Sequence, residues 1–80
     1  MIEYHGTVND GRIFITKTIS QLKRLASREA NKTFKTMDVL QVTTHDVNKG
    51  RNIDIVYFQR INKVMPNNTI QRGIWKKMLF

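Results

Sequence analysis

Thr18-Ile19-Ser20-Gln21-Leu22-Lys23-Arg24-Leu25-Ala26-Ser27-Arg28-Glu29-Ala30-Asn31 is the stretch whose reading decides the fold. Its apolar residues, Ile19, Leu22, Leu25, Ala26 and Ala30, run at intervals of three and four and so form one helical stripe. Thr18 followed by Gln21 makes a capping box: the hydroxyl accepts from the amide three residues on, and the Gln side chain reaches back to the cap. Asn31 is a suitable C-terminal stop, and the β-branched Thr33 follows it. The spacing predicts a helix over about residues 19–31. A helix with one apolar stripe needs a surface to lie on, and the flanking sequence supplies strands.

On the N-terminal side, Asp10-Gly11 between Val8 and Ile13 is a hairpin signal, because a type I′ turn needs positive φ and Gly tolerates it. It predicts strands over about residues 2–8 and 12–17. On the C-terminal side, Met37–Thr44 has strand composition, with Leu40 and Val42 on one face and Val39 on the other. Asn48-Lys49-Gly50 supplies a turn. Ile53, Ile55 and Tyr57 then alternate with Val56 and Phe58, and apolar residues on both faces predict a central strand. Met65-Pro66-Asn67-Asn68-Thr69 is a turn cluster, and Ile70–Met78 reads as an irregular last strand interrupted by Gly73. The expectation is one α+β domain over residues 1–80, a single helix packed on an antiparallel sheet in the order ββαβββ.

Composition bounds the chemistry. The chain has 80 residues, no cysteine, and 14 Lys+Arg against 6 Asp+Glu, a formal charge of +8. A domain of this size buries only about 60% of the surface its unfolded chain exposes, so its stability margin is thin. Without cysteine there is no disulfide framework, thiolate metal site or thiol nucleophile. Short apolar runs predict no membrane span, and Met1-Ile2-Glu3-Tyr4-His5 carries no basic stretch before an apolar core. A soluble, cytoplasmic protein without a cofactor is the expectation. The charge directs attention to nucleic acid, an anionic membrane surface or an acidic protein face.

That charge is blocked, not dispersed. Residues 17–35 hold Lys17, Lys23, Arg24, Arg28, Lys32 and Lys35 against Glu29, a net +5. Residues 60–80 hold Arg60, Lys63, Arg72, Lys76 and Lys77 with no acid, again +5. Residues 1–16 and 36–59 are each slightly acidic. Arg24, Arg28 and Lys32 recur every four residues and so share a helix face, where like charges repel by a few tenths of a kcal/mol per pair. Such a face either keeps a small domain soluble or binds an anion, and its nearly uniform sign keeps the anion-binding reading open. The candidate partner-binding residues are Lys17, Lys23, Arg24, Arg28, Lys32, Lys35, Arg72, Lys76 and Lys77. Trp75, the one tryptophan, lies among the last of these; it can stack a base, but a small domain is expected to use it in the core beneath the helix.

Other motifs fall away. Lys49-Gly50 opens like an RNA-recognition signature, but Arg51 and Ile53 stand where that signature needs aromatics. Asn31-Lys32-Thr33 and Asn67-Asn68-Thr69 match the glycosylation pattern by chance. His5 and His45 are the only histidines. With a lysine they allow a small basic ribonuclease of the toxin type, although two surface histidines are the simpler expectation. The aspartates show no metal-loop spacing, and no enzyme is expected.

Lys17-Thr18-Ile19-Ser20-Gln21-Leu22-Lys23-Arg24-Leu25-Ala26-Ser27-Arg28-Glu29, with Arg72-Gly73-Ile74-Trp75-Lys76 as a second point, resembles segments of small phage-encoded proteins, among them anti-CRISPR inhibitors of multi-subunit surveillance complexes. The N-terminal hairpin, the Asn62–Asn68 connection and the stronger basic charge have no counterpart in that pattern. The resemblance implies a non-enzymatic inhibitor that docks on a host nucleoprotein complex and blocks or diverts its DNA, with Lys23, Arg24 and Arg28 as contacts. The alternatives are a stand-alone DNA- or RNA-binding protein or regulator and, behind it, the ribonuclease.

Overall fold

The computed structural model describes residues 1–79. Strands β1 (Ile2–Val8) and β2 (Ile13–Thr16) form a hairpin, helix α1 (Ile19–Ala30) follows, and β3 (Met37–Asp46) and β4 (Arg51–Ile61) form a second, longer hairpin. Three short pieces complete the chain: β5 (Lys63–Val64), β6 (Ile70–Gln71) and β7 (Lys76–Lys77). Five strands make one antiparallel sheet in the order β2-β1-β3-β4-β7, while β5 and β6 pair separately. The fold is α+β, one helix on one face of an antiparallel sheet, and the expected strand–helix order is roughly met. The expected last strand is divided at Gly73, where a side chain would run into the backbone carbonyl of Ile61.

Helix α1 forms as its local signals dictate. Thr18 is the N-cap and its hydroxyl accepts from the Gln21 amide at 3.2 Å, while Asn31 closes the C-terminus. Leu22, Ala26 and Ala30 are fully buried, against Val8 of β1, Leu40 and Val42 of β3, and Phe58 of β4. The small alanines let the helix lie close, and Gly6 of β1 allows the closest approach. A Cβ at Gly6 would stand 2.6–2.8 Å from side-chain atoms of Leu22. Trp75 packs at the margin of this core and donates from Nε1 to Ser27 Oγ at 2.9 Å, which ties the C-terminal segment to the helix. The expected core position is met in part: the indole is half-buried against the edge of the core.

Two local expectations shift. The β1–β2 turn places Asn9 (φ 51°) and Asp10 (φ 58°) in the left-handed region, one residue earlier than Asp10-Gly11. Asn9 is held there from a distance: its Oδ1 accepts from the Val39 amide at 2.8 Å and its Nδ2 donates to Asp38 at 3.0 Å. The strand containing Ile55 and Tyr57 is not the central one. β3 occupies the middle, and β7 flanks β4 only at Phe58 and Gln59. The outward apolar residues of β4 belong to a sheet face on which the described residues form no second layer, since the helix covers the other side.

Candidate functional site

A groove of about 470 Å³ runs between α1 and the terminal strand β2, lined by Ile15, Thr16, Lys17, Gln21, Arg24, Leu25 and Arg28. Its construction follows from the chain order. Lys17 stands at the junction where β2 gives way to the Thr18 cap, so it is fixed at one end. Arg24 and Arg28 are separated by one helical turn and point together along the groove wall. Ile15 and Leu25 supply an apolar floor between the charges. No carboxylate lines it, and among the described residues none of the three cations makes an ion pair. Packing three like charges around one concavity is unfavourable until an anion enters it, because each neighbouring pair repels.

The remaining sequence candidates go elsewhere. Lys23 lies on the opposite flank of α1, with its ammonium 4.4 Å from the centre of the Phe58 ring. Lys32 pairs with Glu29 at 3.0 Å. Lys35 lines a separate concavity near the β1–β2 turn, together with Arg12 and Glu29. Arg72 folds back on the end of α1, donating from Nη2 to the carbonyls of Asn31 (3.3 Å) and Thr33 (3.1 Å) and resting against Phe34. Lys76 and Lys77 are adjacent on β7, opposite Gln59 and Phe58, and so project to opposite faces of the sheet. The two basic blocks therefore do not merge. The helix block divides around α1, and the C-terminal block is dispersed.

Arg60 leaves the surface altogether. It is 2% exposed, and its Nε and Nη2 donate to Asp38 Oδ2 at 3.0 and 2.8 Å. Asn62 donates to the same oxygen at 2.7 Å, and Arg60 Nη2 also reaches Asn31 Oδ1 at 2.9 Å. Burial pushes the Asp38 carboxyl upward, but hydrogen bonds from Asn9, Asn62 and Arg60, with the Arg60 charge, outweigh it and hold the group below its ordinary value. This network joins the hairpin turn, the helix end, β3 and β4. Through Asn31 it anchors the C-terminal end of α1 to the sheet.

His5 and His45 come together on the open face of the sheet, with ring centroids 5.0 Å apart and planes inclined by 36°. The sequence left open whether the two histidines approach each other; they are neighbours because β1 and β3 pair with Glu3 directly opposite His45. His5 Nε2 lies 3.4 Å from Glu3 Oε1, and His45 Nδ1 lies 2.8 Å from Asn52 Oδ1. No group of three potential metal ligands is suitably placed among the described residues. Nor is any described helix long and apolar enough to cross a membrane. In comparisons with known proteins, no family model, no curated protein and no solved structure matches the chain.

Proposed function

We propose that this is a non-catalytic binding protein that engages a polyanionic partner through the Lys17–Arg24–Arg28 groove. The observation that carries the reading is the convergence of three unpaired cations, from two elements, on one concavity without a carboxylate. Arginines there grip phosphate or carboxylate oxygens with two donors at once, and Ile15 and Leu25 offer an apolar surface to whatever lies between those anions. A nucleic-acid backbone and the acidic face of a nucleic-acid-handling complex both present that chemistry. The phage-type inhibitor implied by the resemblance at residues 17–29 is the specific form of this reading: a cytoplasmic protein of the infected host that occupies the DNA path of a nucleoprotein complex. A stand-alone DNA- or RNA-binding role is its simpler form.

The test measures binding of labelled single-stranded and duplex oligonucleotides, and of host nucleoprotein complexes, by the wild type and by Lys17→Glu/Arg24→Glu/Arg28→Glu. Three phosphate contacts give a slope of log K against log salt of about −2 to −3. Charge reversal should remove binding to either kind of partner. A wild type that binds neither, or a triple variant that retains binding, sinks the proposal.

The approach of His5 to His45 keeps the ribonuclease as a second reading, since two imidazoles can divide general acid and base duties. Its weakness is that the contacts around the pair come from Glu3 and Asn52, with no lysine or arginine in them to hold a phosphate. RNA left intact by the wild type disposes of this reading, as does equal cleavage by His5→Ala.

A further inference from the structure

The sheet face turned away from α1 differs from the rest of the molecule. Strand pairing arranges its side chains in rows: Ile15, His5, Thr43 and Ile55 in one, and Ile13, Thr7, Gln41 and Tyr57 in the next. Val39 and Gln59 continue it, and Met37 and Ile61 end it. Ile13, Ile15, Ile55 and Ile61 are 63%, 58%, 48% and 59% exposed. In a chain of net charge +8, the described residues paired in the strands of this face include one carboxylate and one ammonium, Glu3 at one end on β1 and Lys76 at the other on β7, while Lys17, just past the end of β2, lines the groove. An antiparallel sheet can leave one face to water, but exposed isoleucines on four positions of a nearly uncharged face match the inner face of a β-sandwich.

We propose that a second copy of this chain supplies the missing layer, so that two sheets pack face to face about a two-fold axis. Charge selects this occupant. Two molecules of +8 repel through almost any other surface, whereas here they meet through uncharged side chains. The two charges present are also self-complementary. A two-fold axis lying between the faces and crossing the Glu3–Lys76 diagonal at right angles, midway between Thr43 and Tyr57, sets Glu3 of each copy against Lys76 of the other. Such an isologous contact uses one patch twice and closes, so it yields a dimer and no larger assembly. The helices, and with them both cationic grooves, remain on the outside of the pair. The inference is independent of what those grooves bind.

Sedimentation equilibrium at sub-millimolar protein and physiological salt, where charges are screened beyond about 8 Å, should give twice the chain mass of 9.4 kDa. Ile13→Lys/Ile55→Lys, at two exposed positions outside the groove, should be monomeric with an unchanged circular dichroism spectrum. Glu3→Lys or Lys76→Glu alone should weaken the dimer by about tenfold or more, since each sets like charges opposite one another at both ends. An equimolar mixture of these two single variants should restore association, because every contact then joins opposite charges. A monomeric wild type overturns the proposal. So does a dimer that survives the two isoleucine substitutions, or a mixture that associates no better than its components.

Discussion

Asp38 and Arg60 face each other across β3 and β4 with both side chains almost fully out of solvent, joined by two hydrogen bonds of 3.0 and 2.8 Å to one carboxylate oxygen. Breaking a buried pair costs more than forming it contributes, because the surviving charge keeps its desolvation penalty. Asp38→Ala should therefore destabilise the protein by about 3–5 kcal/mol, since Arg60 then has only Asn31 as a side-chain acceptor. For 80 residues the whole stability is about 4–12 kcal/mol, so this variant stands near unfolding. Asp38→Leu/Arg60→Met should recover much of the loss in urea denaturation, showing that the orphaned charge was the cause.

The same carboxylate sets the acid response. Its folded-state pKa lies below the ordinary value of 3.8, so ionised Asp38 contributes stability that is fully present above that value. The contribution is lost as pH falls from there through the lower folded value. Urea denaturation of the wild type should weaken below about pH 4, and Asp38→Asn should remove part of that slope while lowering stability at pH 7. An unchanged slope in the variant assigns the acid response to other carboxylates.

Gly6 and Leu22 make a steric prediction. Gly6→Ala puts a methyl 2.6–2.8 Å from a side chain that is itself fully enclosed, so either the helix lifts or Leu22 leaves its rotamer. The expected cost is about 1–3 kcal/mol. Leu22→Ala alone should cost about 2–5 kcal/mol. The double variant should cost clearly less than the two together, because the new methyl partly fills the space that Leu22 vacates. Strict additivity in urea denaturation would refute this contact.

What could be read from the chain in advance follows the range of each interaction. Helix α1 was legible because its stripe, its Thr18 cap and its Asn31 stop all lie within one 14-residue window. The limits of β1 were legible from the hairpin signal next to it. The turn itself was displaced by one residue, because Asn9 is positioned by bonds to Asp38 and Val39 about thirty residues away. Arg60 was counted with the C-terminal basic block and its burial was not legible, because its partner Asp38 lies 22 residues earlier on another strand. His5 and His45 met only through strand register. Of the nine basic candidates, Lys17, Arg24 and Arg28 line one groove, while the four-residue spacing that also recruited Lys32 did not register its ion pair with Glu29. Gly6, a glycine inside a strand, was the available signal for close helix approach.

Lys23 and Arg24 are adjacent in sequence but lie on different flanks of α1, which separates binding from stability. Lys23→Gln removes the cation over Phe58 and should cost about 0.5–1 kcal/mol of stability with little effect on anion binding. Arg24→Gln should leave stability within about 0.5 kcal/mol, with the relieved repulsion from Arg28 acting in its favour. It should weaken binding and lower the salt slope by about one contact. Thermal unfolding and oligonucleotide titration of the two variants give opposite patterns if the groove is the site. A loss of binding confined to Lys23→Gln would move the site to the Phe58 flank.

Trp75 fastens the C-terminal segment through one hydrogen bond and one stacking contact, Nε1 to Ser27 Oγ at 2.9 Å and the ring 5.2 Å from the Arg60 guanidinium carbon. Beyond it, β7 pairs with β4 at only two positions, and the Met78 amide donates to the Tyr57 carbonyl at 2.8 Å. So short a ladder has little stability of its own and depends on the indole. Trp75→Phe keeps most of the apolar contact and should cost about 1 kcal/mol for the lost hydrogen bond. Trp75→Ala should release the segment locally: exchange of the Met78 amide should approach that of an unfolded chain, while amides in the centre of β3 keep the protection set by global unfolding. Equal loss of protection in β3 and at Met78 would show instead that the segment unfolds only with the whole domain.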